Sequence, residues 1–243
     1  MQAWGLTDPG MVRTQNQDDY AIEKLSRDQL LVLVCDGMGG ARSGNIASKM
    51  AVEVFTEEVK RTVRSNMKQE RIDQMLIDST ELANKAVYEQ SQLSEEYKGM
   101  GTTLVAAFIQ KDHATVLNVG DSRAYLFNKD GVRSITTDHS LVELMVQRGE
   151  LSRESAKNHP GKNLITRAIG TEENVESDLY HHTLSKGDTI LLCSDGLSNT
   201  MSDQEMLFEV VHGVNKNDCC QRLLKIANYR GAPDNVTVVL VSV

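Results

Sequence analysis

Apolar residues along the chain gather into short runs with the pattern of buried strands. Leu30-Leu31-Val32-Leu33-Val34-Cys35 is one, Thr189-Ile190-Leu191-Leu192-Cys193 a second, and Asn235 to Val243 a Val-rich third. A set of strands fills Thr102 to Ile135, including Thr115 to Val119 and Ala124 to Phe127, with Lys129-Asp130-Gly131 as a hairpin turn. Between the first strand and this set the period becomes helical. A helix from about Asn45 to Val63 puts Ile46, Met50, Val54 and Ala47, Ala51, Phe55 on one stripe. A second, about Gln69 to Gln92, does the same with Ile72, Leu76, Ser79, Leu82, Ala83, Ala86 and Val87. Two more helices precede the last strand: Asp203 to Val211, and Asp218 to Tyr229 with Cys220, Leu223, Leu224 and Ala227 inward.

Strands in blocks and helices in pairs favour antiparallel sheets faced by helix layers over a repeating βαβ fold. With no solenoid-length repeat and no linker, one domain over residues 1–243 is expected. Residues 137–170 read as an inserted flap or lid. Within it Ser140-Leu141-Val142-Glu143 has the form of a capping box opening a short helix. Gly149 would end that helix, and the rest of the segment, with His159-Pro160-Gly161, reads as irregular.

Composition narrows the function classes. The chain has 243 residues, 34 Asp plus Glu against 26 Lys plus Arg, and a formal charge of −8. A negative balance without a basic block argues against nucleic acid and against a polybasic membrane anchor. Cys35, Cys193, Cys219 and Cys220 show no metal or redox spacing, so reduced buried thiols and a cytoplasmic location are expected. The N-terminal residues lack the charged and apolar regions of a signal peptide, and the longest apolar run is too short to cross a bilayer.

The acidic excess has a pattern. Asp36 follows one buried strand in Asp36-Gly37-Met38-Gly39-Gly40, Asp195 follows another in Ser194-Asp195-Gly196-Leu197, and Asp121 a third in Gly120-Asp121-Ser122-Arg123. Asp234 precedes the last strand. Each alone is an ordinary turn residue. Together they can converge, because in an antiparallel sheet the end of one strand lies beside the start of its neighbour. Carboxylates that close repel unless divalent cations sit among them, and an all-oxygen set suits Mg²⁺ or Mn²⁺. Gly37 lets the backbone approach, so its carbonyl is a further candidate ligand. Near the N-terminus, Arg13 offers a planar fork suited to phosphate and Asp18 could hold a metal-bound water.

Competing motifs fail on single letters. Gly39 and Gly44 have P-loop spacing, but Asn45-Ile46 stand where Lys and Ser/Thr are needed, and Arg42 stands where a dinucleotide fingerprint needs its third Gly. Gly120-Asp121-Ser122 is only half a nucleophile elbow. No Arg follows any Cys at the spacing of a cysteine-phosphatase loop. His181 and His182 fall in a predicted strand and point to opposite faces, so they read, like His113 and His212, as surface residues. His139 and His159 lie in the inserted segment and stay open as flap residues near the site.

The motifs taken in order resemble the metal-dependent protein phosphatases, the type 2C family. They are Arg13-x-x-Asn16-Gln17-Asp18, Asp36 to Gly40, Gly99-Met100-Gly101-Thr102-Thr103, Gly120-Asp121-Ser122-Arg123, Ser194 to Leu197 and Asp234-Asn235-Val236-Thr237. Asp138-His139-Ser140 and His159-Pro160 through Asn163, Arg167 and Gly170 fit the bacterial branch. The resemblance runs nearly the whole chain. It implies an α+β fold, a four-layer α/β/β/α sandwich of two antiparallel sheets flanked by helix pairs, and hydrolysis of phosphoserine and phosphothreonine in proteins. It implies that Asp36 bridges two Mn²⁺ or Mg²⁺ ions with the Gly37 carbonyl on one, that Asp195 and Asp234 complete the other, and that Asp121 with Asp195 holds a third, weaker ion. Arg13 would bind phosphate and Asp18 would order metal-bound water.

A hydroxide bridging two metals would attack phosphorus in line, with no phosphoenzyme. Met38 and Ala41 occupy places where some members offer a His, so metal-bound water is the expected proton source. Phosphorylated proteins, including a Ser/Thr protein kinase, are the implied partners, and a monomer is expected. The alternative is a catalytically silent metal-binding regulatory module on the same fold. The retained acids and Arg13 favour the enzyme.

Overall fold

The computed structural model describes residues 1–39, 43–213 and 215–243. Two antiparallel sheets carry the fold. The first has the strand order β1 (Gln2–Asp8), β11 (Val236–Ser242), β10 (Thr189–Cys193), β7 (Arg123–Asn128), β8 (Gly131–Ser134). The second runs β2 (Asp18–Lys24), β3 (Gln29–Met38), β5 (Leu104–Gln110), β6 (His113–Val119), β9 (Asp178–Thr183), with the two-residue β4 (Gly101–Thr102) pairing the end of β3. The long helices α1 (Gly44–Thr62) and α2 (Gln69–Ser91) cover the second sheet, and α6 (Asp203–His212) and α7 (Cys219–Tyr229) cover the first. The short helices are α3 (Leu141–Gln147), α4 (Arg153–Lys157) and α5 (Asp195–Ser198).

Three apolar layers alternate with these elements, and the strands feed two at once. Along β3, Leu30, Val32 and Val34 enter the layer between the sheets, while Leu31, Leu33 and Cys35 meet α1 and α2. Along β10, Ile190 and Leu192 face the other sheet, while Leu191 and Cys193 meet α7 and its neighbours. A strand buried on both faces has no polar side to show, so its sequence is an unbroken apolar run. The expected α+β sandwich is the one observed.

Local departures have physical causes. On α1, Ala47, Ala51 and Phe55 are buried with Ser48 and Val52, while Ile46, Met50 and Val54 are half-buried at the edge of the stripe. Leu82, expected inward on α2, is 43% exposed, because the helix turns Ala83 and Asn84 to the core instead. At α3, Ser140 Oγ accepts from Glu143 N at 3.3 Å, but the Glu143 carboxylate turns to Arg153 and Gln147, so only half the expected box forms. The complete box is at Ser202 and Glu205, opening α6. Gly149 closes α3 with a positive φ of 72°, and its N–H donates to Val146 O at 3.0 Å. The stretch that follows, read as irregular, contains α4. The hairpin turn is as expected: Asn128 pairs with Gly131, and Asp130 N donates to Asn128 Oδ1 at 2.9 Å.

Candidate active site

Strand directions bring the acids to one end of the sandwich. Asp18 opens β2 and stands in register opposite Asp36 near the end of β3. Asp195 follows β10 and opens α5, and Asp234 precedes β11, the antiparallel neighbour of β10. Asp121 lies in the Gly120-Asp121-Ser122 step that carries the chain from β6 in one sheet to β7 in the other. Asp18 is buried, and Asp36, Asp121, Asp195 and Asp234 keep partial access to solvent.

The electrostatics show how close these groups are. Burial holds Asp36 well above the usual carboxylate range, reinforced by Asp18, Asp195, Asp121 and Asp234. Burial raises Asp18 to about 7, opposed by hydroxyl donors. Burial also raises Asp121 to about 7 and Asp195 to about 6, with Asp195 and Asp234 respectively adding repulsion. Among the described residues, few cations offset this cluster. Arg13 reaches Asp234, its Nη2 lying 2.8 Å from Asp234 Oδ2, and Arg123 lowers Asp121 and Asp195 from a distance while gripping Asp138 at 2.7 Å.

Neutral donors orient the acids. Asp18 Oδ2 accepts from Thr237 Oγ1 at 2.6 Å and Ser194 Oγ at 2.7 Å. Asp36 N donates to Thr103 Oγ1 at 2.9 Å, and that hydroxyl also meets Ser122 Oγ at 2.7 Å, tying the Asp36 and Asp121 turns together. Asn199 Nδ2 donates to Asp195 Oδ2 at 3.0 Å. Gly37 admits no side chain: a Cβ there would collide with the Gly44 and Gln17 carbonyls. Its backbone therefore sits where only glycine fits, beside the acids.

Asn235 is a site residue that spacing did not single out for a role of its own. Its Oδ1 accepts from Gln17 N at 2.9 Å, and its Nδ2 donates to Pro9 O and Gln15 O, both at 2.9 Å. One buried amide thus clamps the Arg13 loop onto the start of β11. Three contacts through a single amide have no periodic signature in sequence. His139 is the histidine of the inserted segment that comes near the site. Its Nδ1 accepts from Gly120 N at 3.1 Å and its backbone N–H donates to Gly120 O at 2.9 Å, so it braces the turn holding Asp121. His181 and His182 do point to opposite sides, toward Asp73 and Arg133. Gly40, Ala41 and Arg42, which complete the Asp-Gly loop in the sequence, lie outside the described residues.

As the side chains stand, no group of three or more His, Cys, Asp or Glu among the described residues is arranged to hold a metal ion. Asp234 is engaged by Arg13 and Asp195 by Asn199. The donor set nevertheless fits divalent cations. Asp18 Oδ1 and Asp195 Oδ1 are buried oxygens without a hydrogen-bond partner, an arrangement that costs free energy unless something positive meets them. All the donors are oxygens, which suits Mg²⁺ and Mn²⁺.

Residues 12–225 match the sequence model described as Protein phosphatase 2C. The chain is 39% identical over 241 residues to the serine/threonine phosphatase stp of Listeria welshimeri, covering 99% of this chain and 95% of that protein. The S. agalactiae serine/threonine phosphatase superposes with a TM-score of 0.94 at 39% identity, covering 100% of this chain and 99% of that one. The catalytic domain of the serine/threonine protein phosphatase PstP, solved in complex with two manganese ions, superposes at 0.84 and 29% identity, covering 99% of this chain and 97% of that one.

Proposed function

The chain belongs to the protein phosphatase 2C family and is a serine/threonine phosphatase, and from that premise we propose that the carboxylate rim is its catalytic centre, working with divalent metal and without a phosphoenzyme. The observation that carries this reading is the convergence of Asp18, Asp36, Asp121 and Asp195, all held above the ordinary carboxylate range. Perturbed acids gathered in one place mark functional sites.

In this reading Asp36, the Gly37 carbonyl, Asp195 and Asp234 would hold two Mn²⁺ or Mg²⁺ ions, and Asp121 with Asp195 would hold a third. When bound, the metals neutralise the acids, act as Lewis acids on phosphoryl oxygen and lower the pKa of water toward neutrality. Arg13, 52% exposed and held by Asp234, turns its guanidinium to the phosphoryl oxygens and stabilises their charge in the transition state. Asp18 stays fixed by Thr237 and Ser194 and orients the attacking water through its free oxygen. Serine, cysteine and histidine nucleophiles have no part. The four cysteines are free and buried, and burial pushes the Cys35 and Cys193 thiols up, away from the reactive thiolate. The substrates are phosphorylated proteins, among them a Ser/Thr kinase.

Phosphate release from a phosphothreonine peptide, with Mn²⁺ and with chelator, tests the reading. Release should need metal and fall by about a thousandfold in Asp36→Asn. Metal-independent release, or an active Asp36→Asn variant, would contradict the mechanism, and no release at all would leave the silent-module alternative standing.

A further inference from the structure

The loop ahead of Arg13 shows two neighbouring apolar side chains to solvent, Met11 at 64% and Val12 at 66% exposure. Single exposed apolar residues are ordinary on protein surfaces. These two differ because the backbone that carries them is pinned on both sides. Met11 N donates to Ala232 O at 3.0 Å, and Gly10 N donates to Asp8 Oδ1 at 2.9 Å. Asn235 Nδ2 holds Pro9 O and Gln15 O, each at 2.9 Å. Gly10 has a φ of 76° and packs so tightly on the Asp234 and Ala232 carbonyls that no Cβ would fit. The loop therefore cannot readily roll its apolar side chains inward. They stay in water next in sequence to the guanidinium that rests on Asp234.

We propose that Met11 and Val12 form a specificity surface that takes apolar side chains flanking the phosphorylated residue of a protein substrate. The proposal rests on Arg13 being the phosphate-binding residue. A phosphoseryl or phosphothreonyl side chain is short, so its neighbours in the polypeptide must pass close to the rim. On this edge of the rim they meet an apolar pair on a backbone already pinned, and burying it releases water with little backbone left to order. The occupant follows from that continuity: an extended phosphopeptide, anchored by its phosphate on Arg13 and by an adjoining aliphatic residue on Met11 and Val12. A free phosphomonoester lacks that residue and gains nothing.

The test compares three substrates of the Mn²⁺-loaded full chain: p-nitrophenyl phosphate, a phosphothreonine peptide flanked by leucines, and the same peptide flanked by serines. The wild-type enzyme should favour the leucine peptide over the serine peptide in kcat/KM by about fivefold, the scale of partly burying one or two methylenes. The double variant Met11→Ser with Val12→Ser should lose that preference and keep its rate on p-nitrophenyl phosphate. Met11→Leu with Val12→Ile should retain the preference. No wild-type preference, a preference that survives the serine substitutions, or an equal fall on all three substrates would overturn the proposal. Failure of the phosphatase reading looks different, since none of the three substrates would then be turned over with metal.

Discussion

Asp18 and Glu205 are carboxyl groups that both accept two or more hydrogen bonds, and their acidities move in opposite directions. Glu205, on the surface at the start of α6, is lowered to about 2 by Arg230 first and then by the backbone and hydroxyl of Ser202. Asp18, at the start of β2, is raised to about 7 although Thr237 and Ser194 donate to it. Burial separates them. Hydroxyls orient Asp18 but carry no charge, and its neighbour Asp195 carries the wrong one. Around α6, Glu205 pairs with Arg230 and Glu209 with Arg222. At the rim Asp234 has Arg13, while Asp18, Asp36, Asp121 and Asp195 face mainly each other. An acid with its own cation is complete, whereas acids crowded without cations are poised to receive them.

The sharpest way to break this contrast is to remove one charge from each region. Asp36→Asn should lower metal-dependent phosphate release by about a thousandfold, the upper scale for losing one electrostatic contact to a transition state. The same change should leave the melting temperature of the metal-free protein equal or higher, because it relieves repulsion among buried acids. A clear fall in metal-free stability would mean that Asp36 is a structural residue.

Arg13→Ala should cost about a hundredfold in kcat/KM with metal affinity retained. Steady-state rates alongside calorimetric Mn²⁺ binding check it. Loss of metal binding with the rate would show that the arginine organises Asp234 and does not meet phosphate.

The pH dependence follows from the signs. Asp195, Asp18 and Asp121 have native acidities raised to about 6, 7 and 7. Raised carboxyl groups bind protons more readily in the native than in the unfolded chain. Their contribution to metal-free stability is present at low pH and is lost as pH rises through about 4 to 7. Cations need the deprotonated acids, so Mn²⁺ should raise the melting temperature little at pH 5 and most at pH 8. Thermal scans with metal and with chelator at both values measure this. An increment that is the same at both would separate the acids from the metal.

The smallest effect is expected at the surface. Glu205→Gln should leave the rate within about twofold and lower the melting temperature slightly, since exposed pairs contribute little. A large loss of activity there would remove the distinction between the two regions.

Much of this was legible in the sequence because the fold buries its central strands on both faces. Leu30 to Cys35 and Thr189 to Cys193 had to be apolar throughout, and the acid after each marks a strand end at the same edge. The first strand, Gln2–Asp8, was not legible, because its burial is partial and irregular along its length. Nor was the inward turn of Asn84, which replaces Leu82 in the core because its amide closes on Gly170 N and on the Glu172 and Glu173 carbonyls. The role of Asn235 was hidden for the same reason. A side-chain amide that satisfies backbone groups far away in sequence follows no period, and only the folded chain brings its partners together.

Calorimetric titration of the metal-free protein with Mn²⁺ at pH 8, wild type against Asp36→Asn, tests the central claim most directly. The account predicts at least two bound ions in the wild type and loss of that binding in the variant. Equal binding in both proteins, or none in the wild type, would contradict it.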